Sequence, residues 1–168
     1  NNGKLISIEI NIELRNYESV IFLIKLSLKR SKIKIDEIDY FGVCIGPGSF
    51  TGIRIGLSTM KALAYCMDKP LIGYKSLESH AWMLKDNFSG LLCIMQDARR
   101  NNIYSAIFNN GINFHRITPY LLCDISGFIK KIKRLNQFYL SREKKQKKRD
   151  LYFYGDILSE YREDIKKS

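Results

Sequence analysis

Cysteine, histidine and long apolar runs are scarce in this sequence of 168 residues, and each shortage excludes a kind of protein. The four cysteines are spaced 22, 27 and 30 residues apart without a C-x-x-C pair, which indicates reduced thiols in a cytoplasmic protein rather than a disulfide framework. The two histidines, His80 and His115, have no second ligand at metal spacing, so we expect no metal site. No run of eighteen apolar residues occurs, which excludes a transmembrane helix, and we expect no membrane partner.

Acidic residues are outnumbered by basic ones, and the resulting net charge of +11 is concentrated in one segment. Residues 128–149 contain ten Lys or Arg and one acid, Glu143, so they supply +9 of that charge. A charge run of this kind is usually a solvated loop. The alternative is an RNA-contacting patch, because each phosphate contact adds salt-sensitive affinity and aromatic residues flank the run.

The most informative stretch is rich in glycine and connects an apolar strand, Tyr40–Ile45, to a helix. Residues 46–52 are Gly-Pro-Gly-Ser-Phe-Thr-Gly, so the chain turns sharply, and Ser49 or Thr51 is placed to cap the helix. The sequence lacks the Gly-Lys-Ser or Gly-Lys-Thr of a P-loop, and its glycines are one residue too widely spaced for the dinucleotide fingerprint. A close-packed strand-to-helix turn is the plainer interpretation, although a helix start can also bind an anion.

Two predicted helices, 17–30 and 51–67, are apolar over most of their surface. In the second, Gly52, Gly56 and Leu63 share one face whose first half is small, which lets another backbone approach closely. The first is apolar on most sides and ends in basic residues that suit the helix dipole. Either both helices simply cover their own sheet, or they also form a protein–protein surface.

Four segments, in order along the chain, resemble the TsaB (YeaZ) family. Residues 46–57, Gly-Pro-Gly-Ser-Phe-Thr-Gly-Ile-Arg-Ile-Gly-Leu, resemble its GPGSFTG-[LIV]-R-[IV]-G motif. Residues 70–78, 97–104 and 155–156 resemble its P-[LI]-[IV]-G-x-S-S-L-E, D-A-R-R-x-E-[VI]-Y and G-[DN]-G segments, with Asn102 in place of the usual acid. The resemblance covers residues 17–160.

The resemblance implies an α/β protein of the ribonuclease H-like, actin-like ATPase fold, with mixed sheets, packed helices and two small lobes. It implies a non-catalytic scaffold subunit, no enzyme on its own, that binds and activates the TsaD paralogue in threonylcarbamoylation of the tRNA adenosine next to the anticodon. The ATPase TsaE is a further expected partner, and tRNA is reached indirectly through the complex. Whether the chain also forms a homodimer through the same helices is left open. No nucleotide is expected to bind the chain alone, and ATP or ADP at the interface with TsaD stays open.

The same resemblance assigns roles to individual residues. The two apolar helices pack against TsaD in the family, and the expected partner-binding residues are Val20, Leu23, Ile24, Ser27, Gly52, Arg54, Ile55, Gly56, Thr59 and Met60. The resemblance also suggests that the turn residues would lie nearest to a bound phosphate; these are Gly46, Pro47, Gly48, Ser49 and Thr51. Asp97 and Arg99 are the polar residues of the second lobe, where a salt bridge is favoured over catalysis. A cation at Arg54 opposes the helix dipole, so we expect it to face the partner or a carboxylate.

Residues 1–87 are predicted to form an N-terminal α/β lobe and residues 88–168 a C-terminal lobe. Family members open with a strand of the form [LI]-x-[IL]-D-T-[SA] and continue past the Gly-Asp turn. This chain begins at Asn1 and ends at Ser168, so we expect the first strand to be missing and the C-terminal lobe to be truncated. Residues 97–100, Asp-Ala-Arg-Arg, supply bulky cations where true ATPases of this fold have a Gly-rich phosphate loop.

Hydrophobic patterns place the other elements. Strands are predicted at Lys4–Leu14 (a strand or hairpin), Leu71–Tyr74, Leu91–Gln96, Ile103–Phe108, Ile112–Thr118 and Leu151–Tyr154, and helices at 77–85, with Ser76 as N-cap, and at Ser126–Leu140. Asn109-Asn110-Gly111 predicts a hairpin.

Two functions compete with the scaffold: an independent enzyme, for which no Ser/His/Asp set is evident, and a small RNA-binding module that uses the basic segment 128–149.

Overall fold

The computed structural model describes residues 18–87, 89–111, 113–142 and 150–166. Its helices are α1 (Glu18–Ser31), α2 (Phe50–Cys66), α3 (Ser76–Leu84), α4 (Ile125–Arg142) and α5 (Leu158–Lys166), with a 3-10 turn at Ile35–Glu37. Its strands are β1 (Phe41–Cys44), β2 (Leu71–Tyr74), β3 (Gly90–Asp97), β4 (Ile103–Asn110), β5 (His115–Arg116), β6 (Leu121–Cys123) and β7 (Leu151–Gly155). The predicted strand or hairpin at Lys4–Leu14 lies outside the described residues.

The chain divides into two compact units. The first comprises the described residues up to Ile45 together with Phe50–Tyr74, and the second comprises Gly46–Ser49 together with the described residues from Lys75 onward. None of the helices in the described ranges is long and apolar enough to cross a bilayer.

The first unit is a βαβ arrangement in which β1 and β2 are parallel. Parallel strands need a crossover, and α2 supplies it. The strands pair from Phe41 opposite Leu71 to Cys44 opposite Tyr74. Alternate β1 side chains, Phe41 and Val43, are buried together with Ala64 of α2, so the sheet buries one face against that helix.

The second unit has three layers around a sheet with the strand order β5-β4-β3-β7, and β6 also pairs with β4. Strands β3 and β4 are antiparallel along their full length, and β7 is parallel to β3. On one face of the sheet, a cluster of buried side chains packs with α3: Leu92, Ile94, Ala106 and Phe108 with Leu77 and Ala81. On the other face, a second cluster packs with α4 and the start of α5: Leu91, Cys93, Met95, Ile103 and Ile107 with Phe128, Ile132 and Ile157.

Most elements lie where the sequence predicts them, and the Asn109-Asn110-Gly111 hairpin is confirmed by the β4–β5 pairing. Of the strand predicted over Ile112–Thr118, the described part is strand at His115–Arg116, and Ile112 lies outside the described residues. The sequence analysis missed β6 and α5. The prediction that Ser76 caps α3 is wrong, because Lys75 occupies the N-cap position and the Ser76 hydroxyl instead donates to the Pro47 carbonyl oxygen at 2.6 Å.

The chain passes from the first unit to the second between residues 74 and 75, whereas the boundary predicted from the sequence lies between residues 87 and 88. Leu77 and Ala81 of α3 are fully buried against the sheet of the second unit. Burial of the apolar face of α3 against this sheet contributes far more to stability than the polar turn at residues 86–90, which served as the predicted boundary. The helix therefore belongs by contact to the second unit.

Candidate functional site

Helices α1 and α2 are incompletely covered by the described part of the chain, and each keeps large apolar side chains exposed. They contact each other, yet no side chain between residues 20 and 31 is buried and Ala64 is the one buried residue of α2. Phe22 is 60% exposed and Phe50 is 73% exposed. Exposed apolar surface on two neighbouring helices is typical of a protein–protein contact.

Five of the expected partner-binding residues line a groove beside β1. The groove has a volume of about 380 Å³ and lies between α1, α2 and the strand. The residues it brings together are Val20, Leu23, Ile24, Ser27 and Met60, and Phe41 and Gly42 of β1 complete its wall. These side chains point toward their own unit and are intermediate in exposure.

Three other expected residues, Arg54, Ile55 and Thr59, line a separate hollow of about 390 Å³ formed by α2 alone. The Arg54 guanidinium carbon lies 5.3 Å from the ring centroid of Phe50, a cation–π geometry. Arg54 is exposed, and none of the described carboxylates forms an ion pair with it. An Arg54 that faces a partner stays a prediction.

The glycines of α2 do not share one role. A Cβ built on Gly56 would lie 3.8 Å from the Cγ2 of Val43, so this position faces the sheet of its own unit. Gly52 is exposed. The sequence analysis missed Ile21 and Phe22, which are the most exposed large apolar side chains of α1. The apolar periodicity could not separate them from Val20 and Leu23, because that helix is apolar on nearly every side.

The Gly-Pro-Gly turn is tied to the start of α3. Gly46 is buried and has φ of 93°, a left-handed conformation that favours glycine. Its carbonyl oxygen accepts a hydrogen bond from the Ser76 N–H at 3.1 Å, next to the Ser76–Pro47 contact. Ser49 also has an interaction partner. The turn therefore serves the packing of its own unit, and its proximity to a phosphate stays a prediction.

The β3–β4 loop contains the ion pair that the sequence favours. The Arg99 guanidinium lies 3.1 Å from Oδ2 of Asp97, and the Arg99 N–H donates to Oδ1 of Asp97 at 2.7 Å. The Asp97 N–H donates to Oδ1 of Asp156 at 3.1 Å. Arg99, Arg100 and Asn101 all have positive φ, between 52° and 65°. A run of three left-handed residues without glycine is uncommon and must be held by its surroundings.

Hydrogen bonds within the loop hold that conformation. The Ala98 N–H donates to the Asn102 carbonyl and the Asn102 N–H donates to the Arg99 carbonyl, both at 3.0 Å. Nδ2 of Asn102 donates to the Arg100 carbonyl at 3.1 Å, a bond that the acid found here in the TsaB family could not donate. The N–H groups of Ala98, Arg99 and Asn102 are therefore used within the loop, and the carboxylates of Asp97 and Asp156 lie at its base.

Helix α4 presents a basic face to solvent. Phe128 and Ile132 are buried, and Lys130, Lys133 and Arg134 are exposed at helical spacing. No acidic residue occurs between positions 125 and 142. The rest of the predicted basic segment, residues 143–149, lies outside the described residues.

No group of His, Cys, Asp and Glu side chains in the described ranges could hold a metal ion. All four cysteines are free thiols. Burial raises the pKa of the Cys93 thiol well above its usual range, so this side chain behaves as part of the core rather than as a nucleophile.

Comparison with known proteins gives a consistent result along the chain. The family model described as TsaD, tRNA N6-adenosine threonylcarbamoyltransferase, matches residues 15–165. The tRNA threonylcarbamoyladenosine biosynthesis protein TsaB of Bacillus subtilis is 40% identical over 72 residues, which are 42% of this chain and 31% of that protein. The tRNA N6-adenosine threonylcarbamoyltransferase of Clostridium novyi is 35% identical over 66 residues, which are 39% of this chain and 19% of that enzyme.

Among solved structures, YeaZ from Pseudomonas aeruginosa superposes with a TM-score of 0.56 at 17% identity, covering 66% of this chain and 53% of that one. At this identity the likeness concerns the fold, which is the actin-like, ribonuclease H-like α/β fold. The chain spans less than a third of the length of the two curated relatives above.

Proposed function

The chain belongs to the TsaD family and within it to the TsaB (YeaZ) proteins, and we propose that it is a non-catalytic subunit that binds a TsaD paralogue through α1 and α2. In this role it supports transfer of a threonylcarbamoyl group to the tRNA adenosine next to the anticodon. The observation that carries the proposal is the uncovered apolar surface of the helix pair, on which Phe22 and Phe50 are more than half exposed.

The two parts of the helix surface would contribute differently to a complex. The groove lined by Leu23, Ile24 and Met60 offers a concave apolar site for an inserted side chain, as hot spots commonly use. The hollow on α2 adds Arg54, a residue type enriched at interface centres. The same surface could pair two copies of this chain, and TsaD and the ATPase TsaE are the partners we favour.

Nucleotide chemistry is assigned to the complex rather than to this chain alone. The fold family implies ATP or ADP, but three N–H groups of the β3–β4 loop donate within the loop, and Asp97 and Asp156 lie together at its base. At the base of that loop, a phosphate would meet these carboxylates in place of free N–H donors. We therefore propose that the isolated chain binds no nucleotide, and that any ATP or ADP lies at the interface with TsaD.

Mixing experiments with variants of the helix pair test the scaffold proposal. Because Phe22 and Phe50 are exposed, Phe22→Asp and Phe50→Asp should leave the melting temperature of the chain unchanged and weaken its binding to TsaD by at least tenfold. Titration calorimetry measures the affinity. Leu122→Asp is the matched control, since Leu122 is an exposed apolar residue of the second unit, at 63% exposure.

Undiminished TsaD binding by both phenylalanine variants would contradict the proposal, and so would threonylcarbamoyl transfer by the isolated chain. Gly56→Arg is a poor choice for this test. Its side chain would meet Val43 of the unit's own sheet and could lower binding by disturbing α2.

The basic face of α4 favours a second candidate function, direct RNA binding. Lys130, Lys133 and Arg134 offer three phosphate contacts on one face. If tRNA binds the isolated chain and binding disappears when these three residues are replaced by alanine, the RNA-binding module is supported in place of the scaffold.

A further inference from the structure

A series of aromatic contacts runs from the core of the second unit to its surface, on the α3 side of the sheet, and its outer pair, Trp82 and Phe114, is tilted at an interplanar angle of 55°. Phe108 of β4 is buried, and Phe114 stacks on it with ring centroids 5.7 Å apart and an interplanar angle of 7°. Trp82 of α3 follows, with its ring centroid 4.8 Å from that of Phe114 and 57% of its surface exposed. These contacts therefore hold a large exposed aromatic side chain in a defined position.

Cations accompany the aromatic rings of this surface. The Lys85 ammonium lies 4.4 Å from the Trp82 ring centroid. The Arg116 guanidinium lies 3.9 Å from the ring centroid of Tyr120, and the Lys75 ammonium lies 5.7 Å from the same centroid. We call this set of residues, which also includes Phe114, the Trp82 surface.

One carboxylate takes part in the contacts of the Trp82 surface. The Tyr120 hydroxyl donates to Oε1 of Glu78, and this bond together with burial raises the pKa of Tyr120. Glu78 is thereby engaged with a neutral phenol. Three cations against one hydrogen-bonded carboxylate leave the surface positive.

From this arrangement we infer that the Trp82 surface binds unpaired nucleotides of an RNA chain, with a base stacked on Trp82 and phosphates on Lys85 and Arg116. Aromatic side chains interleaved with cations are the usual platform for single-stranded nucleic acid, because every base has a π face and every nucleotide a phosphate. The inference goes beyond the proposed scaffold function, in which RNA is reached only through TsaD, and it uses a different surface from the basic face of α4.

Charge decides between RNA and a protein as the occupant. Trp, Tyr and Arg are also enriched in protein–protein hot spots, so residue type alone does not discriminate. The three cations around the rings favour a polyanion with stacking groups.

The test uses the fluorescence of Trp82, which is the single tryptophan of the chain. A short single-stranded RNA added to the purified chain at low salt should quench this fluorescence to saturation, and added KCl should reverse the quenching. Inorganic polyphosphate offers the charge without bases and should leave the fluorescence unchanged. TsaD is absent, so the outcome is independent of the scaffold proposal.

Two variants extend the test to binding of a dye-labelled RNA measured by anisotropy. Trp82→Ala should weaken binding about tenfold, as loss of one stacked base does, and Trp82→Phe should restore most of it. Arg116→Ala should lower the slope of log affinity against log salt by about one. Because Arg116 is an exposed side chain, this variant tests the surface even if Trp82→Ala lowers stability.

The matched controls are Tyr65→Ala, an aromatic residue of the first unit at 88% exposure, and Arg162→Ala, an exposed cation of α5. RNA binding without Trp82 quenching, equal quenching by polyphosphate, or equal losses in the controls would overturn the inference. So would a Trp82→Ala variant that binds RNA normally but no longer binds TsaD, because the surface would then belong to a protein partner.

Discussion

Gly155 ends β7 at a point where that strand runs close to β3. It pairs with Met95, and a Cβ built on Gly155 would collide with the Met95 carbonyl oxygen, a backbone atom that has no freedom to move aside. The next residue, Asp156, accepts the hydrogen bond from the Asp97 N–H. The Gly-Asp pair thus combines a close strand approach with a link to the β3–β4 loop.

We expect Gly155→Ala to destabilise the protein by about 3 kcal/mol, at the upper end of what overpacking costs, because β7 must move away from β3. Urea unfolding measures the change. Gly111→Ala is the control, since its Cβ would meet nothing nearer than Oδ1 of Asn109 at 3.9 Å. Equal stability of the two variants would show that β7 accommodates the methyl group.

Tyr120 should make the free energy of unfolding depend on pH in the alkaline range. Burial, followed by the hydrogen bond to Glu78, raises the pKa of Tyr120 from 10.0 to about 12. The folded state therefore holds the phenolic proton more tightly than the unfolded state. The stabilisation is fully present below pH 10 and is lost as the pH rises through the raised pKa.

Tyr120→Phe removes this titration. Its unfolding free energy should fall less steeply than that of the wild-type chain above pH 10, as chemical denaturation at a series of pH values would measure. Parallel pH profiles for the two proteins would mean that Tyr120 titrates alike in the folded and unfolded states.

At the scale of the element, α4 separates an apolar face from a basic one. Phe128 is fully buried between the helix and the sheet face formed by Leu91 and Cys93, while Lys133 is exposed. Packing and charge of this helix can therefore be altered independently.

Phe128→Ala should destabilise the chain by about 3–5 kcal/mol, because it removes a large aromatic group and leaves a cavity. Lys133→Ala should change stability by less than about 0.5 kcal/mol. Thermal unfolding followed by circular dichroism compares the two. A small effect of Phe128→Ala would mean that α4 docks mainly through other residues.

For the whole molecule, the two units bury very different amounts of apolar surface. The buried apolar residues of the first unit are Phe41, Val43 and Ala64 within the described ranges, whereas the second unit has a core on each face of its sheet. A two-stranded sheet is marginal by itself. The first unit should therefore open more readily than the second.

Hydrogen exchange tests this difference. Amides of Leu92–Met95 should exchange slowest, and those of β1 and β2 markedly faster, because local opening free energy follows buried contacts. If the scaffold proposal holds, TsaD should slow exchange in α1 and α2 and leave β3 unchanged. Uniform protection across both units would contradict the expected order.

The parts of the fold that follow from local pattern were predictable. Short, mainly apolar runs placed β3 and β4, the Asn-Asn-Gly turn placed the hairpin of β4 with β5, and the glycine-rich motif identified the family. Short or amphipathic elements were missed: β6 has three residues, and α5 has few apolar ones.

The placement of side chains and elements in space depended on contacts between distant residues. The packing of α3 on the second sheet, the orientation of Gly56 toward Val43 and the contact of Trp82 with Phe114 each join residues far apart in sequence or on different elements. Periodicity identifies the apolar face of a helix, but not the surface that covers it. That surface is decided by which arrangement buries the most apolar area, a property of the folded chain as a whole.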